Sequence, residues 1–163
     1  MPQCCASIKL MAQSRMAEST HFLATEAETA ALAGKLAARA RPGDVLLLSG
    51  PLGAGKSAFA RAFIQARSGN PTLEVPSPTF TLVQSYELPD IIIWHYDLWR
   101  LTGPDALHEL AWDEAQAGIM LVEWPERLGN MCPAQALAVT ISPNPAGREI
   151  RLIGEQRWFL DAS

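Results

Sequence analysis

Several broad classes are excluded by what this sequence lacks. Only three cysteines occur in 163 residues: Cys4 and Cys5 side by side, and Cys132 far away. That spacing builds neither a disulfide framework nor a zinc site, so reduced thiols in a cytoplasmic protein are expected. The three histidines, His21, His95 and His108, have no metal-ligand spacing among them. His95 reads as a core or hydrogen-bonding histidine. No apolar run approaches the roughly 20 residues a membrane helix needs. Residues 1–19 carry Lys9 and Arg15 but no continuous apolar stretch, so no secretory signal and no membrane association is expected. Basic residues are outnumbered, with 13 Lys and Arg against 17 Asp and Glu and a net charge of −4. A protein that grips nucleic acid mainly through its own phosphate contacts needs a basic face, so strong direct binding of that kind is not expected. There are no repeats, no low-complexity tracts and no sign of a second domain.

What the chain does have is concentrated in Gly50-Pro51-Leu52-Gly53-Ala54-Gly55-Lys56-Ser57. These residues match G-x-x-x-x-G-K-[ST], the loop that cradles nucleotide phosphates. The apolar run Val45-Leu46-Leu47-Leu48 precedes it, and Phe59 and Phe63, four apart as on a buried helix face, follow it. Strand, glycine-rich turn and helix is the order the chemistry requires. The glycines let backbone N–H groups turn inward, and the helix N-terminus adds its own donors. In such a loop Lys56 reaches the β- and γ-phosphates and the Ser57 hydroxyl binds Mg²⁺. A glycine-rich turn without a ligand is the alternative, but the strand and helix on either side make it the weaker reading.

Thr25-Glu26-Ala27-Glu28 has the form of a capping box, which predicts a helix starting near Thr25 and stopping at Pro42-Gly43. The helix after the glycine-rich turn is predicted to end near Gly69, and residues 72–78 to form a loop. Strands are predicted over 79–86, 91–96, 119–122, 136–141, 149–153 and 158–160, with a helix through Leu107 and Leu110. Together they predict an α/β protein: a three-layer P-loop NTPase-like fold with a mixed central sheet, its first strand and P-loop helix in the middle. One domain is expected over 20–163, with 1–19 as a disordered extension.

Hydrolysis needs acids as well as a phosphate cradle. Asp97 follows the apolar run 91–96, and Glu123 directly follows Ile119-Met120-Leu121-Val122. Ligands of open α/β sheets gather at the carboxyl ends of strands, where both acids stand. Either acid alone could be an ordinary solvated strand end. Between the two segments lies Ser77-Pro78-Thr79-Phe80-Thr81-Leu82-Val83, whose Thr79 and Thr81 hydroxyls could sense a γ-phosphate. Trp124, next to Glu123, could stack on a base or a partner, or simply pack.

Leu52 to Ser57, Ser77 to Val83, His95-Tyr96-Asp97-Leu98-Trp99-Arg100-Leu101 and Val122-Glu123-Trp124-Pro125-Glu126 occur in this order. The set resembles the TsaE family, small ATPases of bacterial tRNA threonylcarbamoyladenosine biosynthesis, over about Thr25 to Arg151. The resemblance implies that Gly53, Ala54, Gly55, Lys56, Ser57 and Ala58 bind ATP phosphates, that Ser57 and Glu123 hold Mg²⁺, and that Asp97, with Lys56, supports hydrolysis. It further implies that Thr79 belongs to a nucleotide-sensing loop, that Trp124 matters for activity, and that Thr25, Glu26 and Arg148 approach the nucleotide. The implied partners are TsaB and TsaD, with tRNA reached through their complex and adenosine 37 of ANN-decoding tRNAs as the modified base. Weak ATPase activity alone, raised by partners, is expected. Ser57 stands where threonine is usual and keeps the hydroxyl, while Trp99 stands where tyrosine is usual and loses a phenol. Two rivals follow from the loop: a small-molecule kinase or other P-loop phosphotransferase, and a non-catalytic module that uses ATP to fix its shape. A GTPase is disfavoured because Asn-Lys-x-Asp is absent.

Overall fold

Val45-Leu46-Leu47-Leu48 has no polar face, and a strand apolar on both sides must lie where both sides are covered. The computed structural model, described here over residues 16–159, puts it there. The chain runs β1 (Met16–Leu23), α1 (Glu26–Arg39), β2 (Val45–Ser49), α2 (Lys56–Ser68), β3 (Val83–Glu87), β4 (Ile92–Asp97), a 3₁₀ segment (Pro104–Leu110), α3 (Trp112–Ala115), β5 (Ile119–Glu123), a second 3₁₀ segment (Pro125–Met131), β6 (Leu137–Asn144), β7 (Gly147–Glu155) and a last 3₁₀ turn (Gln156–Trp158). The sheet order is β1-β7-β6-β2-β5-β4-β3. The inner pairs β6–β2, β2–β5 and β5–β4 are parallel, and β1, β7 and β3 add antiparallel pairs at the flanks. The sheet is mixed and β2 is its middle strand, as the sequence predicts.

Alternation along the strands sends side chains to two cores. Leu46, Leu48, Ile93, Ile119, Leu121 and Val139 meet Leu36 of α1 and Phe59, Phe63 and Ile64 of α2. Val45, Leu47, Tyr96, Met120 and Val122 meet Leu107, Trp112 and Leu128 on the other side. There Tyr96 packs edge-on to Trp112, 5.2 Å between ring centres, and donates its hydroxyl to Leu110 O at 2.9 Å. The layers are therefore helix, sheet, and a third layer of short helical segments.

Helix α1 begins at its expected cap. Thr25 Oγ1 accepts the Glu28 N–H at 3.2 Å, and Glu28 Oε2 accepts the Ala24 N–H at 2.7 Å, one residue before the position a capping box would use. Thr25→Ala should cost about 1 kcal/mol of folding free energy, read as a lower midpoint in urea with an unchanged slope.

Four expectations change. The extension placed over 1–19 overlaps β1, which starts at Met16; residues 1–15 lie outside the described ones. No strand was expected there because the half-buried positions Ala17, Ser19, His21 and Leu23 are chemically mixed, so the run lacks apolar alternation. What orders it is an eight-residue antiparallel register against β7, from Met16 opposite Glu155 to Leu23 opposite Arg148. The strand predicted over 79–86 begins only at Val83, because Leu82 takes a left-handed backbone (φ 67°) and its N–H returns to Pro78 O at 2.7 Å. The strand predicted at 158–160 is a 3₁₀ turn ending at Trp158, with Leu160 outside the described residues. Cys132, expected as a reduced thiol, is disulfide-bonded.

Candidate functional site

Between β2 and α2 the chain reverses through residues 50–55. Gly50 has φ 152°, and a Cβ there would lie 2.4 Å from Ile141 O of the neighbouring strand β6. Gly55 (φ 107°) turns the chain into α2, whose first helical bond runs from Phe59 N to Gly55 O at 3.0 Å. The N–H groups of Lys56, Ser57 and Ala58 therefore open the helix with no carbonyl a turn behind them. They carry the partial positive charge of the helix start to the cavity mouth. The buried Phe59, Phe63 and Ile64 anchor this helix on the sheet, which fixes where its N-terminus points. Ala54 is 2% exposed and its N–H is taken up by Pro51 O at 3.1 Å, so it supports the turn from inside.

The acids come from the sheet. Asp97 and Glu123 sit opposite each other at the carboxyl ends of the parallel strands β4 and β5. Both lie on the α2 side, because Asp97 is four residues beyond Ile93 and Glu123 two beyond Leu121, which face that core. Ser57 Oγ, at the start of α2, donates to the Glu123 carboxylate, 2.9 Å from Oε1 and 3.1 Å from Oε2. His95 Nε2 lies 2.7 Å from Glu123 Oε2. Thr79 donates its hydroxyl to Asp97 Oδ2 at 3.2 Å, and the Trp99 N–H meets Asp97 Oδ1 at 3.2 Å. Ser77 bridges the two groups of contacts, 2.9 Å from Thr79 Oγ1 and 3.5 Å from Ser57 Oγ. A chain of hydroxyls thus joins one carboxylate to the other.

Lys56 lies across this arrangement. Its ammonium donates to Gly50 O at 2.6 Å and Pro51 O at 3.0 Å, and stands 4.0 Å from the Trp124 ring centre. Burial pushes its pKa below the ordinary 10.5, with Glu123, Glu126 and Asp97 pulling the other way. Trp124 holds a left-handed backbone (φ 59°), a conformation a bulky residue rarely keeps unless its surroundings require it. Its ring lies 4.5 Å from that of Trp99. Lys56, Ser57, Ser77, Thr79 and Trp124 line a cavity of about 240 Å³ that reaches from Leu52 and Gly53 to Asp97 and Glu123.

A second hollow of about 290 Å³ adjoins it, since Ala58 lines both. Glu26 and Arg148 line this one. Arg148 Nη1 is buried with no hydrogen-bond partner among the described residues, and a Cβ on Gly55 would sit 2.6 Å from it. Thr25 lines neither hollow; its hydroxyl is occupied at the helix cap. A larger hollow of about 420 Å³ lies between β1 and α1, but its acids are engaged, Glu18 with Arg151 and Glu28 with the Ala24 N–H. The smaller pair is the candidate site.

The structure thus brings Gly53, Gly55, Lys56, Ser57, Ala58, Thr79, Asp97, Glu123 and Trp124 to one cavity. It sets Glu26 and Arg148 in the adjoining hollow, and Ala54 and Thr25 in supporting places. Thr81, a candidate hydroxyl, instead accepts from Gln84 Nε2 on the exposed side at 3.3 Å. Sequence reasoning passed over Ser77 as a hydroxyl and His95 as a partner of the acids. The usable signal for His95 was its place two residues before Asp97 on one strand face.

The donor set suits a phosphate ligand with a divalent cation. Free N–H groups at a helix start and the Arg148 guanidinium, whose Nη1 has no partner among the described residues, favour an anion. Ser57, Asp97 and Glu123 offer only oxygen, the ligand type of Mg²⁺. Among the described residues no group of three or more His, Cys, Asp or Glu could hold a metal by itself. Gly55→Ala should destabilise the fold by about 1–2 kcal/mol through left-handed backbone strain and push the Arg148 guanidinium aside. A denaturant midpoint equal to wild type would contradict this.

Residues 23–150 match the family model described as threonylcarbamoyl adenosine biosynthesis protein TsaE. The chain is 40% identical over 122 residues to the tRNA threonylcarbamoyladenosine biosynthesis protein TsaE of Rickettsia conorii, covering 74% of this chain and 69% of that one. It is 34% identical over 142 residues to the protein of that name from Rickettsia typhi, covering 86% and 98%. The Bacillus subtilis protein of that name is 39% identical over 116 residues, covering 70% and 71%. The crystal structure of Bacillus subtilis YdiB superposes with a TM-score of 0.66 at 29% identity over 86% of each chain.

Proposed function

The chain belongs to the TsaE family of threonylcarbamoyladenosine biosynthesis, and from that membership we propose that it is a Mg²⁺-dependent ATPase serving as accessory subunit to a TsaB–TsaD complex. The observation that carries the reading is the cavity itself: a free helix N-terminus and Lys56 meet two carboxylates joined through hydroxyls, with Arg148 in the adjoining hollow. Cations and free N–H groups bind phosphate; the oxygen set holds a cation and handles water.

Each residue's part follows from its contacts. Gly53 and Gly55 shape the turn, and the N–H groups of Lys56, Ser57 and Ala58 receive phosphate oxygens. Lys56 changes partner, from the Gly50 and Pro51 carbonyls to phosphate. Ser57 and Glu123 would hold Mg²⁺, which when bound neutralises charge on the β- and γ-phosphates. Asp97, oriented by the Thr79 hydroxyl and the Trp99 N–H, positions the attacking water. Thr79 would register the γ-phosphate through that same bond. Arg148 and Glu26, beside Ala58, flank the rest of the nucleotide. Trp124 closes the mouth over Lys56.

An accessory role accounts for the net charge of −4, because tRNA would be gripped by the partners and this chain would supply the ATP cycle. The site of action would be the cytoplasm, where tRNA is modified. Among the described residues no helix is long and apolar enough to cross a membrane.

Co-purification with TsaB and TsaD, with and without ATP, followed by an ATPase assay on the eluate, tests the reading. The expected result is slow Mg²⁺-dependent hydrolysis by the chain alone and faster turnover in the assembly. Failure to associate in any nucleotide state, or no ATP turnover where an intact control assembly turns over, would overturn it.

A further inference from the structure

His95 has no part in the chemistry described so far, yet it occupies a place that an apolar side chain would ordinarily fill. It is fully buried on β4, facing the α2 side with Ile93 and Asp97. In the parallel register it stands opposite Leu121, two residues before Glu123 on β5. That offset carries Nε2 to within 2.7 Å of Glu123 Oε2, with both side chains at 3% exposure or less.

The two imidazole nitrogens have different surroundings. Nε2 meets the carboxylate. Nδ1 is buried with no hydrogen-bond partner among the described residues. A proton on Nδ1 would face no acceptor, while a proton on Nε2 faces a carboxylate oxygen. The surroundings therefore select the Nε2–H tautomer. A histidine kept for packing alone would have no reason to leave one nitrogen unsatisfied inside the sheet. What this ring contributes that leucine or phenylalanine would not is one N–H aimed at Oε2.

Glu123 needs that N–H. Its other donor, the Ser57 hydroxyl, is shared between both carboxylate oxygens at 2.9 and 3.1 Å. Ser57 must also turn towards the cation that the proposed function places here. His95 can keep its bond through that change, leaving Oε1 as the oxygen turned to Ser57 and the cavity. We infer that His95 is a positioning residue, whose Nε2–H tautomer fixes the Glu123 carboxylate for the divalent cation. The inference rests on the proposed ATPase reading. Partners of this kind that orient a metal-binding group change metal affinity or activity by about 10- to 100-fold when removed.

Two measurements test it. In ¹⁵N NMR of the ligand-free protein, the His95 ring should show a protonated Nε2 and a bare Nδ1. In calorimetric titration of MgCl₂ into protein saturated with a non-hydrolysable ATP analogue, His95→Leu should weaken cation binding by about 10- to 100-fold. Its affinity for the analogue without metal should stay as in wild type. His95→Gln, whose amide N–H reaches about as far as Nε2, should recover most of the loss. His95→Asn, too short to reach Oε2, should not, and it replaces His95→Leu if that variant fails to fold. An Nδ1–H tautomer, wild-type cation affinity in the leucine or asparagine variant, or no rescue by glutamine would overturn the assignment. If wild-type protein takes up neither analogue nor cation, the ATPase reading falls and this role with it. If wild type binds both and the variants match it, only this role falls.

Discussion

Asp97→Asn is expected to leave nucleotide affinity close to wild type and to cut ATP turnover about a thousandfold, a barrier increase of about 4 kcal/mol. The substitution keeps the shape of a group that is 5% exposed and held at both oxygens. Asparagine can still accept the Trp99 N–H that now meets Oδ1 at 3.2 Å. On the other side an amide N–H₂ replaces Oδ2, and the Thr79 hydroxyl that donates there at 3.2 Å must turn or accept instead. Water positioned by a carboxylate would then face a group that cannot take its proton. Because Asp97 stands opposite Glu123 in the register, the experiment also separates the two acids. Single-turnover hydrolysis in the presence of TsaB and TsaD, with analogue affinity measured separately, gives chemistry apart from binding. A fully active Asp97→Asn would move the water-positioning role to Glu123.

The two acids were legible because the physics that places them is local in sequence. A carboxylate directly after an apolar run stands at a strand's carboxyl end, and parallel strands bring those ends together. The glycine-rich turn was legible for the same reason, since eight consecutive residues contain the turn, the cation and the hydroxyl. What escaped notice depends on pairing across the chain. β1 is ordered by its register with β7, 133 residues away at the Glu18–Arg151 contact, and not by its own pattern. Ser77 becomes a bridge only when its loop folds back on Ser57, twenty residues earlier. Trp99 stands where a phenol was expected from the family. Its ring instead meets Trp124, and that contact depends on the left-handed turn at Trp124, which no period in the sequence foretells.

Lys56→Met is expected to lower nucleotide affinity by about a hundredfold or more, since charge-assisted hydrogen bonds to phosphate contribute about 1.5–3 kcal/mol each and methionine makes none. The same substitution reports on the ligand-free protein. Lys56 is 5% exposed, and burial holds its pKa below 10.5 despite the pull of Glu123, Glu126 and Asp97. Between that lowered value and 10.5 the folded protein has released the Lys56 proton while the unfolded chain still holds it. Stability rises with pH wherever the unfolded state binds more protons. Wild type should therefore gain stability relative to Lys56→Met as pH climbs through that window, and show no such trend below it. Taking the difference between the two proteins removes the titration they share, including Tyr86 and Tyr96, whose pKa values burial pushes up. Urea melts of both proteins from neutral pH to 10.5 supply the comparison. A flat difference across the alkaline range would mean that the ammonium is no worse off in this cavity than in water. Bound phosphate would remove the effect, because it supplies the countercharge that the Gly50 and Pro51 carbonyls only partly replace. The strain of a buried, under-compensated ammonium is thus what a phosphate ligand would relieve, and the pH trend of the ligand-free protein measures it independently of any turnover assay.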